Sequence, residues 1–469
     1  MKGNKNSPKH LCDYMAGKLA KLLEKAKASE LDRIAVSTQD GLRLEGLVMP
    51  RIEYGDTDCL ILKLDSGYNA GISAGKIEEI KVVAKASDAK KTARSEKSGA
   101  AEKKAKAAAA EPANNLPKIA MIATGGTIAS VVDYATGGVH GKLDAEDIAA
   151  AIPGFTDRVN VCAFYSPFRV FSEDMTYRQW QDIAKIAAAE MDGDEARGLI
   201  VTHGTDTLHF TAAALSFMLS QYKKPIALVG AQRSPDRGSF DGIMNLTCAA
   251  AYAASDIGEK AIVMHATTND DYCHASRGTK VRKLHASRRD AFQPVNEPAL
   301  AKIWPDGKIE RTNANAAKRE ETPGAKPLAA FEPKVAILKM YPSSDPEIID
   351  YYASKKYKGI IIEGTGLGHV STSPLCKEDC WLPAIRRATD AGMHVCMTTQ
   401  CIHGKANPFV YSAGRLLSQA GVQYLSDMLT ETAYVKLGWA LAQKKSEKDV
   451  AELMATNVAG EYNQRHEYY

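Results

Sequence analysis

The sequence predicts an α/β protein in which a two-domain, doubly wound parallel unit follows a small β-barrel. From Lys118 onward, short apolar runs alternate with helical periods, a pattern typical of helices packed around a parallel sheet. Between residues 33 and 83, five short strand-like runs are separated by turn residues. The segment between these regions is rich in Lys and Ala and almost free of large apolar residues, so it cannot contribute to a core.

Several domains are expected, because 469 residues exceed what one hydrophobic core usually supports. No apolar run approaches the roughly 20 residues that a membrane span needs, so we expect no membrane partner. We predict six segments: an N-terminal helix and tail (1–30), a small β-barrel (31–84), a flexible Lys/Ala-rich linker (85–116), a large α/β domain with the catalytic motifs (117–330), a smaller C-terminal α/β domain (331–445) and a C-terminal tail (446–469).

The N-terminal region combines one helix with short strands. Apolar residues at Met15, Leu19, Leu22 and Leu23 fall on one face of a helix, which we expect to pack on another element. The strands of the barrel are predicted at 34–36, 42–48, 59–64, 68–72 and 77–83. A barrel of this size is too small for an active site of its own, so docking to a protein or RNA is its expected use.

The second region alternates strands with helices. Strands are predicted at 119–123, 199–201, 225–229 and 261–265, and helices at 144–152, 174–191, 208–219 and 242–254. Residues 269–333 lack strong periodicity and are predicted to be part loop and part crossover. A second α/β unit follows, with strands at 335–340, 359–363 and 394–398 and a helix that Asp345 caps and Pro346 starts.

Composition excludes several classes of protein. The net charge of +4 is too small to indicate nucleic-acid binding, and the N-terminus lacks the apolar core of a secretory signal, so we expect a cytoplasmic protein. Nine scattered cysteines indicate reduced thiols. Four of them lie in the C-terminal domain without a zinc-site spacing, so no metal site is predicted: Cys376, Cys380, Cys396 and Cys401.

Polar residues follow three of the predicted strands. They are Thr124-Gly-Gly-Thr127, Thr205-Asp206-Thr207 and Gly230-Ala-Gln-Arg233. The carboxyl ends of parallel strands open into the crevice where such sheets bind ligands, so we expect these turns to form one site. For Thr205 and Asp206 a second interpretation, a helix N-cap, is about equally well supported by the local sequence.

A threonine hydroxyl needs a base before it can act as a nucleophile, and a lysine is the candidate. Lys280 and Lys283 both qualify, because crowding by neighbouring arginines could lower the pKa of a lysine in a closed site. The alternative interpretation is that the basic side chains of 277–289 form a solvated or RNA-facing patch, and composition alone favours that alternative.

Taken together, three ordered motifs resemble those of the threonine-dependent asparaginase and glutaminase superfamily: 122–129, 202–207 and 229–233. The resemblance implies an asparaginase-like two-domain unit with its active site near the domain junction. It makes Thr127 the first nucleophile and groups Thr205, Asp206 and Lys283 in a second constellation. Lys283 is preferred to Lys280 because the superfamily's lysine stands seven residues before an Asp-Ala-Phe, here 290–292.

The same resemblance assigns the substrate contacts. Ser172 would receive the α-carboxylate, while Glu173 and Asp206 would hold the α-amino group. Gly126 and Gly204 complete the set, and the amides of the glycine turn would stabilise the oxyanion. Glu173 stands where the superfamily has Gln, which leaves the preferred amino acid open.

The barrel narrows the resemblance. Residues 45–51, 62–69, 277–283 and 427–433 resemble the family of D subunits of archaeal glutamyl-tRNA(Gln) amidotransferases, whose barrel would be SH3-like. That family implies a glutaminase that forms a homodimer within a heterotetramer and gives ammonia to the E subunit. The E subunit would bind tRNA(Gln), ATP and Mg, and this chain would bind no cofactor. The alternatives are a free-standing L-asparaginase and a non-catalytic RNA- or partner-docking protein.

Overall fold

The computed structural model describes most of the chain. Its described residues are 17–49, 58–65, 68–85, 116–126, 128, 130–132, 139–141, 145–150, 152, 154–235, 239–444, 446–463 and 465. The predicted nucleophile Thr127, the start of the N-terminal segment and nearly all of the predicted linker lie outside them.

In its described residues, the N-terminal unit contains one α-helix and five strands. They are α1 (Gly17–Ala26), β1 (Arg33–Thr38), β2 (Arg43–Val48), β3 (Cys59–Lys63), β4 (Asn69–Ser73) and β5 (Ile77–Ala84). The strands form an antiparallel sheet in the order β4-β3-β2-β1-β5. All five predicted strands are therefore confirmed, each within a few residues of its expected bounds.

The helix and the sheet of this unit share one core. Leu19 and Leu23 of α1 are fully buried, four residues apart on one face, as the apolar period requires. Their partners include Ile34, Val36 and Leu60 on alternate positions of the strands. The amphipathic helix thus covers one face of a sheet whose other face is largely polar.

The large domain is built on an eight-stranded mixed sheet. In chain order its strands are β6 (Lys118–Ala123), β9 (Asn160–Tyr165), β10 (Gly198–Thr202), β11 (Ile226–Val229), β12 (Lys260–His265), β13 (Cys273–Arg277), β16 (Ala301–Ile303) and β17 (Ile309–Arg311). Their spatial order is β17-β16-β13-β12-β11-β10-β6-β9. The described residues also contain two separate two-stranded sheets: β7 (Ser130–Val132) with β8 (Val139–Gly141), and β14 (Val281–Lys283) with β15 (Phe292–Pro294).

The prediction of part loop and part crossover for residues 269–333 missed their strands. Residues 312–333 are largely loop that leads to the next sheet, but residues 273–311 add the antiparallel strands β13, β16 and β17 to one edge of the large sheet. Two of the three strands have only three residues, which is too short for an alternating pattern to register. Pairing with distant strands, which no local pattern reveals, fixes them.

Among the described residues of this domain, four helices flank the large sheet: α2 (Ala145–Ala150), α3 (Tyr177–Asp192), α4 (Leu208–Met218) and α5 (Gly242–Ala253). Helix α3 begins three residues later than the predicted start at Asp174. Thr176 caps it in a capping box with Gln179, and Ser172–Asp174 is a separate short 3-10 turn. That turn, instead of a helix, carries the predicted substrate residues.

The C-terminal part contains a four-stranded parallel sheet. Its strands β18 (Val335–Lys339), β19 (Gly359–Gly364), β20 (His394–Thr399) and β21 (Gln423–Tyr424) lie in chain order. The helices are α6 (Glu347–Ser354), α7 (Trp381–Asp390), α8 (Ser412–Gln419), α9 (Thr430–Gln443) and α10 (Glu447–Ala455). Helix α10 falls in the segment predicted as a tail. Ser446 caps it by accepting a hydrogen bond from the amide of Asp449.

Contacts divide the chain into two compact units. The second holds residues 112–129, 141–233 and 241–469, so the large sheet and the C-terminal sheet belong to one body. Within the described ranges, no helix has the length and apolar character that crossing a membrane requires.

Candidate active site

The site lies where the order of the large sheet reverses. From β6 the chain moves to β9 on one side and then to β10 on the other, which makes the carboxyl ends of β6 and β10 a topological switch point. Thr124 joins the two ends, because its amide and its hydroxyl both donate to the carbonyl of Thr202, at 3.1 and 2.9 Å. The next strand, β11, is joined through the amide of His203 and the carbonyl of Val229 at 2.9 Å. The expected convergence of three strand ends is confirmed.

Three predicted substrate residues are packed against one another. Gly126 has a φ of +82°, and a Cβ built on it would lie 2.4 Å from the Cα of Gly204. A Cβ on Gly204 would lie 2.9 Å from the Cβ and Oγ of Ser172, which is itself buried. The turns approach so closely that only glycine fits at both positions. Glu173, the fourth predicted substrate residue, is exposed beside Ser172.

Lys283 connects the second predicted constellation. Its Nζ lies 3.0 Å from the hydroxyl oxygen of Thr205 and 2.7 Å from the carboxylate of Asp206. Thr205 is 7% exposed and the Lys283 side chain 10%, whereas Asp206 is open to solvent. The structure therefore brings together a hydroxyl, an amine and a carboxylate from two separate segments of the chain. Thr127 lies outside the described residues, directly after Gly126.

Lys280, the other candidate base, points elsewhere. Its side chain is fully buried, and its Nζ donates to the carboxylate of Asp427 at 2.5 Å and to the carbonyl of the same residue at 3.1 Å. Burial lowers the pKa of Lys280, and the Asp427 carboxylate opposes that shift. Lys280 therefore acts in the packing of the two domains and does not reach Thr205.

The cap interpretation of Thr205 and Asp206 is wrong. Helix α4 begins at Leu208, so the N-cap position falls to Thr207, and no side-chain cap hydrogen bond forms there. The Thr207 hydroxyl instead donates to the carbonyl of Ser172 at 2.6 Å, which ties the two turns together. Thr205 and Asp206 are left to face Lys283.

The solvated-patch interpretation of residues 277–289 fits only part of the stretch: Arg277 and Lys280 are buried, whereas Arg288 is exposed. Each Lys and Arg side chain of this stretch has an acidic partner: Arg277 with Glu259 and Glu297, Lys280 with Asp427, Arg282 with Glu431, Lys283 with Asp206, Arg288 with Asp290, and Arg289 with Asp270. Two of these partners, Asp427 and Glu431, lie more than a hundred residues away. The composition of this stretch shows its six positive charges, but it does not show the acidic residues that pair with them.

A buried hydrogen-bond chain supports the turn at Gly204. The indole of Trp180 donates to the Thr211 hydroxyl at 3.0 Å, and that hydroxyl lies 2.8 Å from Nε2 of His203. His203 Nδ1 lies 2.6 Å from the carbonyl of Gly204, which can only accept, so Nδ1 carries the proton and Nε2 accepts from Thr211. Burial lowers the pKa of His203 to about 4. The imidazole therefore stays neutral, and Nε2 remains able to accept the hydrogen bond from Thr211.

Two residues at the site were missed by sequence reasoning. Asp241, directly before α5, accepts hydrogen bonds from the backbone amides of Gln232 and Arg233, at 2.9–3.1 Å, and so shapes the third turn. Glu431 in the first turn of α9 forms an ion pair with Arg282 at 2.9 Å. Asp241 resembles an ordinary helix cap in sequence. Glu431 lies in the motif 427–433, which carried the resemblance but received no role.

Across the described ranges, no three His, Cys, Asp or Glu side chains are grouped as metal ligands would be. A threonine hydroxyl close to an amine, with the backbone amides of a glycine turn nearby, suits nucleophilic attack on a carbonyl carbon.

Three known families match successive parts of the chain. Residues 28–83 match the GatD N-terminal domain, residues 118–317 match Asparaginase, N-terminal, and residues 334–454 match the Glutaminase/Asparaginase C-terminal domain. Solved structures agree. The thermostable L-asparaginase from Thermococcus kodakarensis superposes with a TM-score of 0.64 at 27% identity, over 74% of this chain and 100% of that chain. L-asparaginase I from Vibrio cholerae gives 0.61 at 28% identity, over 74% and 99%.

Curated relatives match nearly the full length of the chain. The D subunit of the glutamyl-tRNA(Gln) amidotransferase of Thermococcus kodakarensis is 45% identical over 450 residues, which cover 95% of this chain and 97% of the relative. The D subunit of the Methanopyrus kandleri enzyme is 39% identical over 450 residues, which cover 95% and 94%. With these matches and an asparaginase-like body preceded by the small antiparallel sheet, the chain belongs to the family of glutamyl-tRNA(Gln) amidotransferase D subunits.

Proposed function

We propose that this chain is the glutaminase subunit of a tRNA-dependent amidotransferase. It hydrolyses glutamine to glutamate and supplies the ammonia to a partner subunit that converts Glu-tRNA(Gln) to Gln-tRNA(Gln). The observation that carries this proposal is the position of the Lys283 amine, within 3.0 Å of the Thr205 hydroxyl and 2.7 Å of the Asp206 carboxylate. The names of the full-length relatives support the tRNA-dependent context.

The reaction proceeds in two steps. The hydroxyl oxygen of Thr127 attacks the side-chain carboxamide of glutamine, the C–N bond breaks, and ammonia leaves with the hydroxyl proton. Water then attacks the resulting ester, releases glutamate and restores the hydroxyl. The oxyanion that forms in each step is stabilised by the backbone amides of the turn around Gly126.

Lys283 handles the proton. In its neutral form the amine accepts the Thr205 proton across the 3.0 Å contact while it donates to Asp206. The deprotonated Thr205 oxygen then takes a proton from the water that attacks in the second step. If Thr205 is itself the nucleophile, this oxygen attacks the amide carbon instead. Ser172 and Glu173 stand beside this group on the short turn before α3 and hold the amino-acid end of the substrate.

The family resemblance implies a partner, an amidotransferase E subunit that binds ATP, Mg and tRNA(Gln). The turn at 124–127 is compatible with this assignment, since it has no Gly-Lys-Ser/Thr ending of an ATP-binding loop. The assembly is a homodimer of this chain within a heterotetramer that acts in the cytoplasm.

The test is glutamine hydrolysis by the purified chain, measured as ammonia release alone and with the E subunit and Glu-tRNA(Gln). A rate that rises strongly with the partner and tRNA is expected. Thr127→Ala and Thr205→Ala distinguish the roles of the two hydroxyls. The variant that lacks the nucleophile is expected to form no acyl-enzyme, whereas an acyl-enzyme can still be trapped in the other variant. Wild-type activity in Thr205→Ala would contradict the role given to this residue.

The same assay decides between the alternatives. Full amide hydrolysis by the chain alone, with asparagine preferred, would indicate a free-standing asparaginase. Binding of tRNA by this chain with no amide hydrolysis under any of these conditions would indicate a docking protein. The arrangement of Thr205, Asp206 and Lys283 argues against that last alternative, since a docking surface has no need of it.

A further inference from the structure

We propose that Asp427, Glu431 and Thr432, here called the anchor corner, position Lys283 from the smaller C-terminal domain. The anchor corner holds residues 279–283, here called the base segment, and thereby fixes the distance between the Lys283 amine and Thr205. This inference rests on the proposed function, because it presumes that Lys283 acts in the hydrolysis. The anchor corner acts on Lys283 through the neighbouring residues of the base segment, which makes its members positioning residues.

Three separate contacts join the anchor corner to the base segment. The Asp427 carboxylate and carbonyl both accept from Lys280 Nζ. Glu431 forms its ion pair with Arg282 at 2.9 Å. The Thr432 hydroxyl donates to the carbonyl of Thr279 at 3.0 Å. Three contacts on three residues of one short segment restrain its position as well as its orientation.

Strand geometry explains how these contacts act on Lys283. Arg282 and Lys283 are neighbours in β14, and successive side chains of a strand point to opposite faces. Arg282 reaches the anchor corner on one face, so Lys283 is directed to the Thr205 side on the other. Strand β14 pairs with β15 in a two-stranded sheet, through three residue pairs from Val281–Pro294 to Lys283–Phe292. A two-stranded hairpin of this length has little stability of its own, so its position depends on what it is anchored to.

Burial makes the anchor contacts sensitive to the loss of either partner. Lys280 and Asp427 are both fully buried as side chains, and the Glu431 side chain is 11% exposed. Burial raises the pKa of Glu431, and the Arg282 guanidinium opposes that shift. Removing one partner of such a pair leaves a buried, unpaired charge, which favours displacement of the segment.

The test variants are Glu431→Gln and Thr432→Val, with Thr432→Ser as the conservative variant that keeps the hydroxyl. Ammonia release from glutamine is measured on the full-length chain with the E subunit and tRNA present. A 1 Å displacement of Lys283 Nζ from Thr205 is expected to lower kcat by about 100-fold and to change KM much less, since Lys283 itself has no proposed contact with the substrate. Thr432→Ser is expected to restore most of the kcat that Thr432→Val loses.

Amide hydrogen exchange gives a readout that does not depend on catalysis. Peptides covering the base segment are expected to exchange faster in Glu431→Gln and Thr432→Val than in the wild type. Two controls lie in the same domain away from this segment. Asp350→Asn breaks the ion pair with Arg387 at 2.6 Å, and Ile385→Ala opens a cavity in the domain core. Both are expected to keep wild-type kcat and wild-type exchange in the base segment.

Lys283→Met separates this inference from the proposed function. If Lys283→Met is inactive while Glu431→Gln and Thr432→Val keep wild-type kcat and exchange, the anchor is refuted and the proposed function stands. If Ile385→Ala lowers kcat as much as the anchor variants do, loss of domain stability explains the effect and the anchor is again refuted. If Lys283→Met is fully active, the proposed site fails and this inference fails with it.

Discussion

Gly126→Ala is expected to impair the site by forcing two turns apart. Its Cβ would lie 2.4 Å from the Cα and N of Gly204, whereas ordinary contacts begin at 3.4 Å. The turns after β6 and β10 must therefore separate by the difference, 1.0 Å, because both obstructing atoms belong to the backbone. A displacement of this size costs about 100-fold in rate, or about 2.7 kcal/mol of transition-state stabilisation.

A matched control isolates this steric effect from backbone strain. Gly126 has a φ of +82°, so alanine there also costs about 1–2 kcal/mol of folding free energy, because L-residues disfavour the left-handed region. Gly324 has a φ of +80°, and nothing lies within 4 Å of the position that a Cβ would take there, so Gly324→Ala has the same strain in open space. Both variants are expected to lose similar stability in denaturant unfolding, and only Gly126→Ala is expected to lose glutaminase kcat. Equal kcat values for the two variants would refute the reasoning.

Two further predictions concern stability. Burial lowers the pKa of His209 to about 3 from 6.5. Below pH 6.5, His209 therefore binds a proton in the unfolded chain but not in the folded chain. As the pH falls below 6.5, the free energy of unfolding of the wild type should therefore fall relative to that of His209→Gln by about 1.4 kcal/mol per pH unit, or about 2 kcal/mol at pH 5. Urea titrations measure this difference. A difference that is constant from pH 7 to pH 5 would contradict the prediction. Leu23→Ala should destabilise the N-terminal unit by about 2–5 kcal/mol, because Leu23 is fully buried. Substitution of the exposed Lys21 by Ala should leave the unfolding midpoint of this unit unchanged. Equal midpoints for the two variants would show that α1 does not belong to this core.

The sequence was informative wherever a pattern is local. Alternating apolar residues located all five strands of the N-terminal sheet, and continuous apolar runs located four parallel strands of the large sheet, β6, β10, β11 and β12. The parallel strand β9, whose residues are all only partly buried, was missed. Placing Thr205 and Gly230 after such strands was enough to bring their turns together, because parallel strands end at the same edge. The start of α3 was misplaced since Asp174 and Thr176 are both good caps, and only the capping box with Gln179 distinguishes them.

Features that depend on distant partners were not predictable in this way. Lys280 and Lys283 have the same chemistry and lie three residues apart, yet one meets Asp427 and the other Thr205. Counting seven residues back from Asp290 selected the lysine that the structure places beside Thr205, but that count came from a family resemblance and not from local physics. Glu431 had no local signal either, because its role depends on an arginine about 150 residues earlier in the chain.

The central claim is that Lys283, held beside Thr205 and Asp206, handles the proton in glutamine hydrolysis. Its most direct test is ammonia release by Lys283→Met in the complete complex with the E subunit and Glu-tRNA(Gln), compared with the wild type at saturating glutamine. Loss of proton transfer predicts a fall in kcat of about 10²–10⁴-fold with the fold and complex formation intact. A kcat within about twofold of the wild type would contradict the claim.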